Sequence, residues 1–158
     1  MDRPTKTARQ LLETKRSAVT GVISVAPGDT VLSALKLMHE KDTGAVVVLE
    51  GGKLAGIVTE RDYARKVELQ GKSAKDTLVR QIMTESPMFY ATPGDSVEKC
   101  RALMGQHRVR HLPICDSGRV IGVLSIRDVL EEIIAEEEHV IRDLETDRLV
   151  MTTDTGSY

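Results

Sequence analysis

The chain contains two copies of one pattern, separated by a constant offset of 66 residues. Residues 27–31 (Pro-Gly-Asp-Thr-Val) return as residues 93–97 (Pro-Gly-Asp-Ser-Val), and residues 56–62 return as residues 122–128. Because one offset holds at both landmarks, no insertion or deletion separates them within either copy. The sequence therefore predicts a single supersecondary unit that is built twice.

The chain length sets the size of these units. A chain of 158 residues gives each copy roughly 60 residues, a size at which folding buries only about 60% of the surface of the unfolded chain. We therefore expect the two copies to pack on each other and share a core. We divide the chain into an N-terminal segment (1–15), a first domain (16–72), a second domain (80–137) and a helical extension with a disordered tail (138–158). A polar stretch at 71–75 is the expected linker.

Composition excludes several classes of protein. A formal net charge of −2 argues against a generally basic nucleic-acid-binding surface. Cys100 and Cys115 lie in apolar patterns and form no CxxC pair, which favours small core residues in a reduced compartment. The start of the chain is polar, and no apolar run approaches the roughly 18 residues of a membrane span. We expect a soluble, cytoplasmic protein without nucleic-acid or membrane partners.

Periodicity and turn signals give both copies the order β-α-β-β-α. In the first copy Asp29 or Thr30 caps the first helix, and Thr59 opens the second. The expected elements of the first copy are strands 22–25, 45–49 and 54–58, with helices from 31 to about 41 and from 59 through 67. Those of the second copy are strands 88–91, 111–115 and 120–124, with helices 96–107 and from 125. The fold class is α/β.

Two features lie outside the strict repeat. Residues 9–14 resemble residues 80–85 at an offset of 71, so the first copy carries five extra residues in its leading loop. The last helix continues past the repeat, with apolar residues at steps of four and three (126, 130, 133, 140 and 144, with Glu137 as the exception). This stripe packs against a partner subunit or, alternatively, folds back on its own domain. Residues 151–158 are expected to be disordered.

Each copy ends with a hydroxyl residue three positions before an aspartate, where a strand leads into a helix. The pairs are Thr59 with Asp62 and Ser125 with Asp128. One interpretation is a capping box, in which hydroxyl and acid satisfy helix amides. The other is a ligand site, since a carboxylate accepts hydrogen bonds from a ribose diol and a helix N-terminus suits a phosphate. Gly56 and Gly122 lie three residues earlier and allow close approach or mark a bend.

These motifs carry a family resemblance. The β-α-β-β-α order, the Pro-Gly-Asp-Thr/Ser-Val openings, the strand at 111–114 (His-Leu-Pro-Ile) and the two Gly-x-x-Thr/Ser-x-x-Asp endings resemble a pair of cystathionine β-synthase (CBS) domains over roughly residues 9–137. The similarity is greatest to small stand-alone bacterial CBS pairs. The resemblance implies a pseudo-twofold module with two clefts between the copies, which bind AMP, ADP or ATP and in some members NAD or S-adenosylmethionine. It also implies a homodimer.

The resemblance further implies roles for individual residues. Asp62 and Asp128 would bind ribose hydroxyls, and Thr59 and Ser125 would contact ribose or phosphate. The adenine would lie near the strands that begin each copy, beside Thr20, Val22, Ser86 and Met88. Apart from the resemblance, the basic residues of the helices that follow the motifs are further phosphate candidates: Arg61, Arg65, Lys66 and Arg127. AMP is the ligand we expect first, as a regulatory ligand and not as a catalytic cofactor.

The copies differ most where a phosphate would lie. Arg108, Arg110 and His111 stand where the first copy has Asp42, Gly44 and Ala45. If this segment is extended, Arg108 and Arg110 share a face and His111 points the other way. We therefore expect unequal clefts, with Arg110 and His111 supplying phosphate contacts to one of them. The alternative is a solvated basic edge.

Other chemistry has little support in the sequence. The four histidines show no metal-ligand spacing, and no Ser/His/Asp set, nucleophile elbow or Walker loop is present. The leading hypothesis is a non-catalytic sensor of energy or metabolite state that signals to a separate, unidentified protein by changing shape. The second is a structural adaptor that binds no ligand. An enzyme acting on a nucleotide is the least favoured.

Overall fold

The computed structural model describes residues 6–14, 22–85 and 89–154, with side chains described through residue 148. Helix α1 (Ala8–Thr14) precedes the first copy. That copy contains β1 (Ser24–Val25), α2 (Val31–Lys41), β2 (Ala45–Glu50), β3 (Lys53–Thr59) and α3 (Glu60–Tyr63), which continues as a π-helical turn (Ala64–Glu68). The second copy is preceded by α4 (Val79–Ile82) and β4 (Thr84–Glu85). It contains α5 (Val97–His107), β5 (His111–Asp116), β6 (Arg119–Ser125) and α6 (Ile126–Asp154).

Local sequence signals explain the boundaries of the equivalent helices α2 and α5. The Thr30 hydroxyl accepts a hydrogen bond from the Ser33 amide at 3.1 Å, and the Ser96 hydroxyl accepts one from Lys99 at 3.1 Å. Both helices end at a residue in the left-handed conformation, Asp42 at φ 50° and Arg108 at φ 54°. These caps confirm the predicted starts and the duplicated α/β order.

Strand pairing departs from expectation at the start of each copy. Strands β1 to β4 form one sheet in that order, with β1 parallel to β2 and the other pairs antiparallel, whereas β5 and β6 form a hairpin. Only residues 24–25 of the expected strand 22–25 are paired. Of the expected strand 88–91, residues 89 and 90 are not in a strand and Ala91 forms a single parallel bridge to Ile114, while residue 88 lies outside the described residues.

The short helix before each copy packs into the other copy. Ala8 and Leu11 of α1 are buried with Val97, Leu112 and Leu124 of the second copy. Val79 and Ile82 of α4 are buried with the valines and Met38 of the first copy. Each repeat therefore completes its core with a helix that precedes the other repeat, and this exchange holds the copies together.

Backbone hydrogen bonds fix this exchange at the repeated Pro-Gly-Asp motifs. The first two amides of each leading helix donate to carbonyl oxygens of the partner motif: Ala8 to Asp95 (2.8 Å), Arg9 to Pro93 (3.1 Å), Val79 to Asp29 (2.8 Å) and Arg80 to Pro27 (3.0 Å). The first amides of a helix lack partners inside the helix. Each Pro-Gly-Asp motif therefore binds the first turn of the other copy's leading helix. The two leading helices are related by the offset of 71 found in the sequence.

Helix α6 packs on its own domain near its start and is exposed further along. Val129 is buried, and Ile126 and Ile133 pack on the core of the second copy. Leu130 and Leu144, placed on the same stripe by periodicity, are 43% and 60% exposed. The helix therefore folds back on its own domain at its start and projects further on. It continues through Asp154, beyond the expected beginning of the disordered tail at residue 151, and residues 155–158 lie outside the described residues.

Both repeated glycines lie where the exchanged segment crosses a strand. A Cβ on Gly56 would lie 2.7 Å from the Thr84 carbonyl oxygen, and one on Gly122 would lie 2.7 Å from the Leu12 side chain. Each strand also has a register irregularity beside its glycine. The glycines thus allow close approach of backbone in one case and of an apolar side chain in the other.

We predict that Gly56→Ala lowers the free energy of unfolding by about 1–3 kcal/mol, because the new methyl group meets a backbone carbonyl that cannot turn away. Gly122→Ala should cost less, since the end of the Leu12 side chain can change rotamer. Gly28→Ala has nothing within 4 Å of the new atom and serves as the control. Urea unfolding of the three variants measures the loss in free energy of unfolding for each. Equal losses for Gly56→Ala and Gly28→Ala would contradict the prediction.

Candidate functional site

The two hydroxyl–aspartate pairs form the same local structure. In the first copy the Asp62 amide donates to the Thr59 hydroxyl at 3.1 Å, and the Thr59 amide donates to Asp62 Oδ2 at 3.0 Å. In the second copy the Asp128 amide donates to Ser125 at 3.1 Å, and the Ser125 amide donates to Asp128 Oδ2 at 2.8 Å. Both pairs are capping boxes, as the first of the two interpretations from sequence predicted. A carboxylate has about four acceptor positions, so capping does not exhaust the capacity of either aspartate.

The surroundings of the two pairs differ in the sign of one charge. Lys66 lies one turn after Asp62, with its Nζ 3.3 Å from Asp62 Oδ1, and it donates to the Ile82 carbonyl oxygen at 2.8 Å. The equivalent residue in the second copy is Glu132, which pairs with Lys6 at 3.2 Å. Asp62 therefore has a cation beside it, Lys66, which also binds the end of α4. Asp128 has an acid, Glu132, at the equivalent position.

A large open cleft lies between the copies on the side of the second pair. Its volume is about 1410 Å³, which exceeds the roughly 300–1,000 Å³ of typical ligand pockets. The second copy contributes Ser125, Arg127, Asp128, Arg110 and His111. Facing them are residues of the first copy and of α1, including Val22, Ile23, Thr43, Gly44, Ala45, Arg9 and Leu12.

The predicted site residues fall into three groups. Six of the twelve line this cleft: Val22, Arg110, His111, Ser125, Arg127 and Asp128. Thr59, Arg61 and Asp62 are absent from its lining. Thr20, Ser86 and Met88 lie outside the described residues. The cleft thus brings together the second copy's motif and the two residues that most distinguish this copy from the first.

The segment before β5 is not extended as supposed. Arg108 is the left-handed cap of α5, with φ 54°, so Arg108 and Arg110 do not share the face of a strand. Instead Arg110 and His111 both line the cleft, and Arg108 does not. The αL conformation turns the chain at the end of α5 and places the next residues between the copies.

His111 lies where the two copies meet. A Cβ on Gly44 would lie 3.8 Å from the His111 imidazole and 4.0 Å from the Glu60 carboxyl carbon. Gly44 occupies the position equivalent to Arg110 at the offset of 66. The absence of a side chain at this position leaves space on the first copy's side of the cleft, and the imidazole faces that space.

Several charges in the cleft are already compensated. Arg9 pairs with Asp116 at 3.2 Å, and Arg127 pairs with Glu131 at 3.0 Å. Arg110 and Lys41 also line the cleft and form no ion pair with any residue that the structure describes. These two cations are therefore the ones best placed to receive the negative charge of a ligand.

Residues of α1 and residues 41–45 also line the cleft, which the sequence did not predict. Residues 9–14 resemble residues 80–85 in sequence, but this similarity does not predict that α1 packs on the second copy. The loop at 41–45 carried no signal of its own, because small and polar residues there are typical of any helix–strand connection.

The two cysteines lie outside the cleft. Cys100 and Cys115 are buried, and burial raises the pKa of the Cys100 thiol to about 11, so this thiol stays protonated near neutral pH. Among the described residues there is no cluster of three or more His, Cys, Asp or Glu side chains suited to a metal ion. Within the same part of the chain, no helix is both long and apolar enough to cross a membrane.

Comparison with known proteins identifies the repeated unit. A profile of the CBS domain matches residues 16–69 and 79–135. The chain is 41% identical over 120 residues to the mitochondrial CBS domain-containing protein CBSX3 of Arabidopsis thaliana, covering 73% of this chain and 58% of that protein. It is 32% identical to the CBS domain-containing protein YhcV of Bacillus subtilis, covering 78% of this chain and 86% of that protein.

Solved structures show the same architecture. A CBS-domain protein from Burkholderia ambifaria, whose name assigns it to signal transduction, superimposes with a TM-score of 0.77 at 47% identity, over 82% of this chain and 95% of that one. A hexameric CBS-CP12 protein from bloom-forming cyanobacteria gives a TM-score of 0.74 at 26% identity, over 98% of this chain and 92% of that one. The duplicated β-α-β-β-α unit, the exchanged leading helices and these matches together establish that the chain belongs to the CBS domain family, with two CBS domains in tandem.

Proposed function

We propose that the chain is a non-catalytic regulatory module that binds an adenine nucleotide, AMP first among AMP, ADP, ATP and NAD, in the cleft beside Ser125 and Asp128. The observation that carries the proposal is the joint placement in one cleft of a carboxylate, a helix N-terminus and the cations Arg110 and Lys41. A carboxylate suits a ribose diol, and the other groups suit a phosphate. S-adenosylmethionine is a less favoured ligand of the same cleft.

The two aspartates have different roles in this proposal. Asp128 would accept hydrogen bonds from the ribose while it caps α6. Asp62 would remain structural, because its side chain is only 15% exposed and is held by the Thr59 amide, the Thr59 hydroxyl and Lys66. The regulatory output would follow from a difference in ligand affinity between two arrangements of the copies or subunits.

Self-association is a further part of the proposal. Contacts within one chain leave most of α6 uncovered, and the cyanobacterial protein that matches along 98% of this chain is hexameric. We expect at least a homodimer, which transmits ligand binding to a separate protein.

The exposed stripe of α6 also favours a second candidate, a structural adaptor without a ligand. A thermal-shift screen with adenosine, AMP, ADP, ATP, NAD, S-adenosylmethionine and GMP separates the two. Ligand at 100 times its dissociation constant stabilises a protein by about 2.7 kcal/mol, a readily measured shift. A shift confined to adenosine compounds supports the sensor, and no shift with any compound supports the adaptor.

We predict that Asp128→Asn weakens AMP binding by about 10- to 100-fold, the loss expected for a hydrogen-bonded charged group. The asparagine Oδ1 can still accept the hydrogen bond from the Ser125 amide at this third position of α6, so stability should change little. Asp62→Asn is the matched control and should bind AMP like the parent chain. Isothermal titration measures both, and equal losses in the two variants would refute the assignment of separate roles.

Arg110→Ala should weaken AMP binding by about tenfold or more while leaving adenosine affinity unchanged, because the guanidinium contacts only the phosphate. Arg108→Ala, two residues earlier and outside the cleft, is the control. Titrations with AMP and adenosine report the phosphate contact directly. If Arg110→Ala reduced affinity for both ligands alike, or for neither, the phosphate assignment would be wrong.

A further inference from the structure

Charge is segregated between α6 and the rest of the chain. Over residues 126–154 the sequence has three arginines against ten aspartates and glutamates, a formal charge of −7. The remaining residues, here called the body, contain 19 lysines and arginines against 14 acids, a formal charge of +5. The small net charge of the whole chain therefore conceals two parts of opposite sign.

Most of the acidic helix projects from the body. Ile133 packs on the second copy's core, and Lys6 contacts Glu132 and Glu136 at 3.2 and 3.4 Å. From Glu137 to Arg148 every residue is exposed. Residues 137–154, here called the arm, extend for about 27 Å at 1.5 Å per residue. A helix of this length is marginal in water without tertiary packing, so the arm requires a surface to pack on.

The arm has an apolar face for such a contact. Ile141 and Leu144 are 54% and 60% exposed, and Leu130 and Ile134 continue the same face toward the body at 43% and 53%. These four residues, here called the arm stripe, are separated by steps of four, seven and three, which keep them on one side of a helix. Val140, 50% exposed, lies beside this face, and Glu137 interrupts it.

We infer that the arm of one copy docks through the arm stripe on the body of a second copy. The self-association on which this inference rests is part of the proposed function, whereas nucleotide binding is not required. The arm itself has six acids and two arginines, a formal charge of −4, so two arms side by side would bring −4 against −4 with no basic residue nearby except their own arginines. An arm on a body brings −4 against +5, and the body offers exposed apolar side chains of its own: Leu69 at 76%, Tyr90 at 53%, Phe89 at 42% and Ile121 at 37%.

Salt changes the affinity of the dimer in opposite directions for the arm-on-body and the arm-on-arm arrangement. Opposite charges attract less as the Debye length shortens, and like charges repel less. We expect the dissociation constant of the dimer, measured by sedimentation equilibrium without nucleotide, to rise by about tenfold between 0.05 and 0.5 M NaCl. A dimer that tightens over this range would overturn the arm-on-body arrangement and leave self-association intact. A chain that is monomeric at low salt would overturn both.

A mixing experiment tests the same inference independently of salt. The full-length double variant Ile141→Asp/Leu144→Asp keeps the body but loses the apolar contact, so alone it should be monomeric. Mixed with tagged parent chain, it should still be captured, because the parent arm finds an intact body. Thr146→Asp, an exposed residue on the opposite side of the helix, is the control for added charge and should dimerise normally. Failure of the double variant to pair with the parent chain, or its continued dimerisation alone, would overturn the inference.

Discussion

The exchange of leading helices is the interaction on which the rest of this structure depends. Amides at the start of α1 and α4 donate to the Pro-Gly-Asp carbonyls of the opposite copy, and Leu11 and Ile82 are buried in the cores they join. A repeat of roughly 60 residues buries too little apolar surface to be stable alone. Because each core contains a helix from before the other repeat, the two copies stabilise each other and the cleft between them has a defined geometry.

Near symmetry makes the differences between the copies informative. The capping boxes at Asp62 and Asp128 have nearly identical geometry, yet Lys66 accompanies the first and Glu132 stands at the equivalent position in the second. The residue equivalent to Arg110 is Gly44, which leaves space opposite His111. The two copies therefore share one backbone arrangement, and they differ in the charge at residues 66 and 132 and in the side-chain size at residues 44 and 110. These differences leave one cleft with groups that suit a nucleotide.

The proposed ligand site and the proposed assembly surface lie on one helix. Ser125 and Asp128 cap the start of α6, and Ile141 and Leu144 lie about four turns further along. A helix is stiff over this distance, because every backbone amide within it is tied to a carbonyl one turn away. A ligand that shifted the first turn of α6 would therefore also change the direction of the arm. This connection provides a physical route from ligand binding to the arrangement of subunits.

The sequence determined the repeat, its element order and the starts of α2 and α5, because these follow from local periodicity and from hydrogen bonds between residues close in the chain. It left open whether the hydroxyl–aspartate pairs only cap, since capping and ligand binding require the same residue types. Only the tertiary structure decided that α1 and α4 cross to the other copy, that Asp128 and not Asp62 faces the large cleft, and that α6 is covered at Val129 but exposed at Leu144. Those outcomes depend on contacts between segments far apart in sequence, and a periodic pattern does not specify which surface an apolar face will meet.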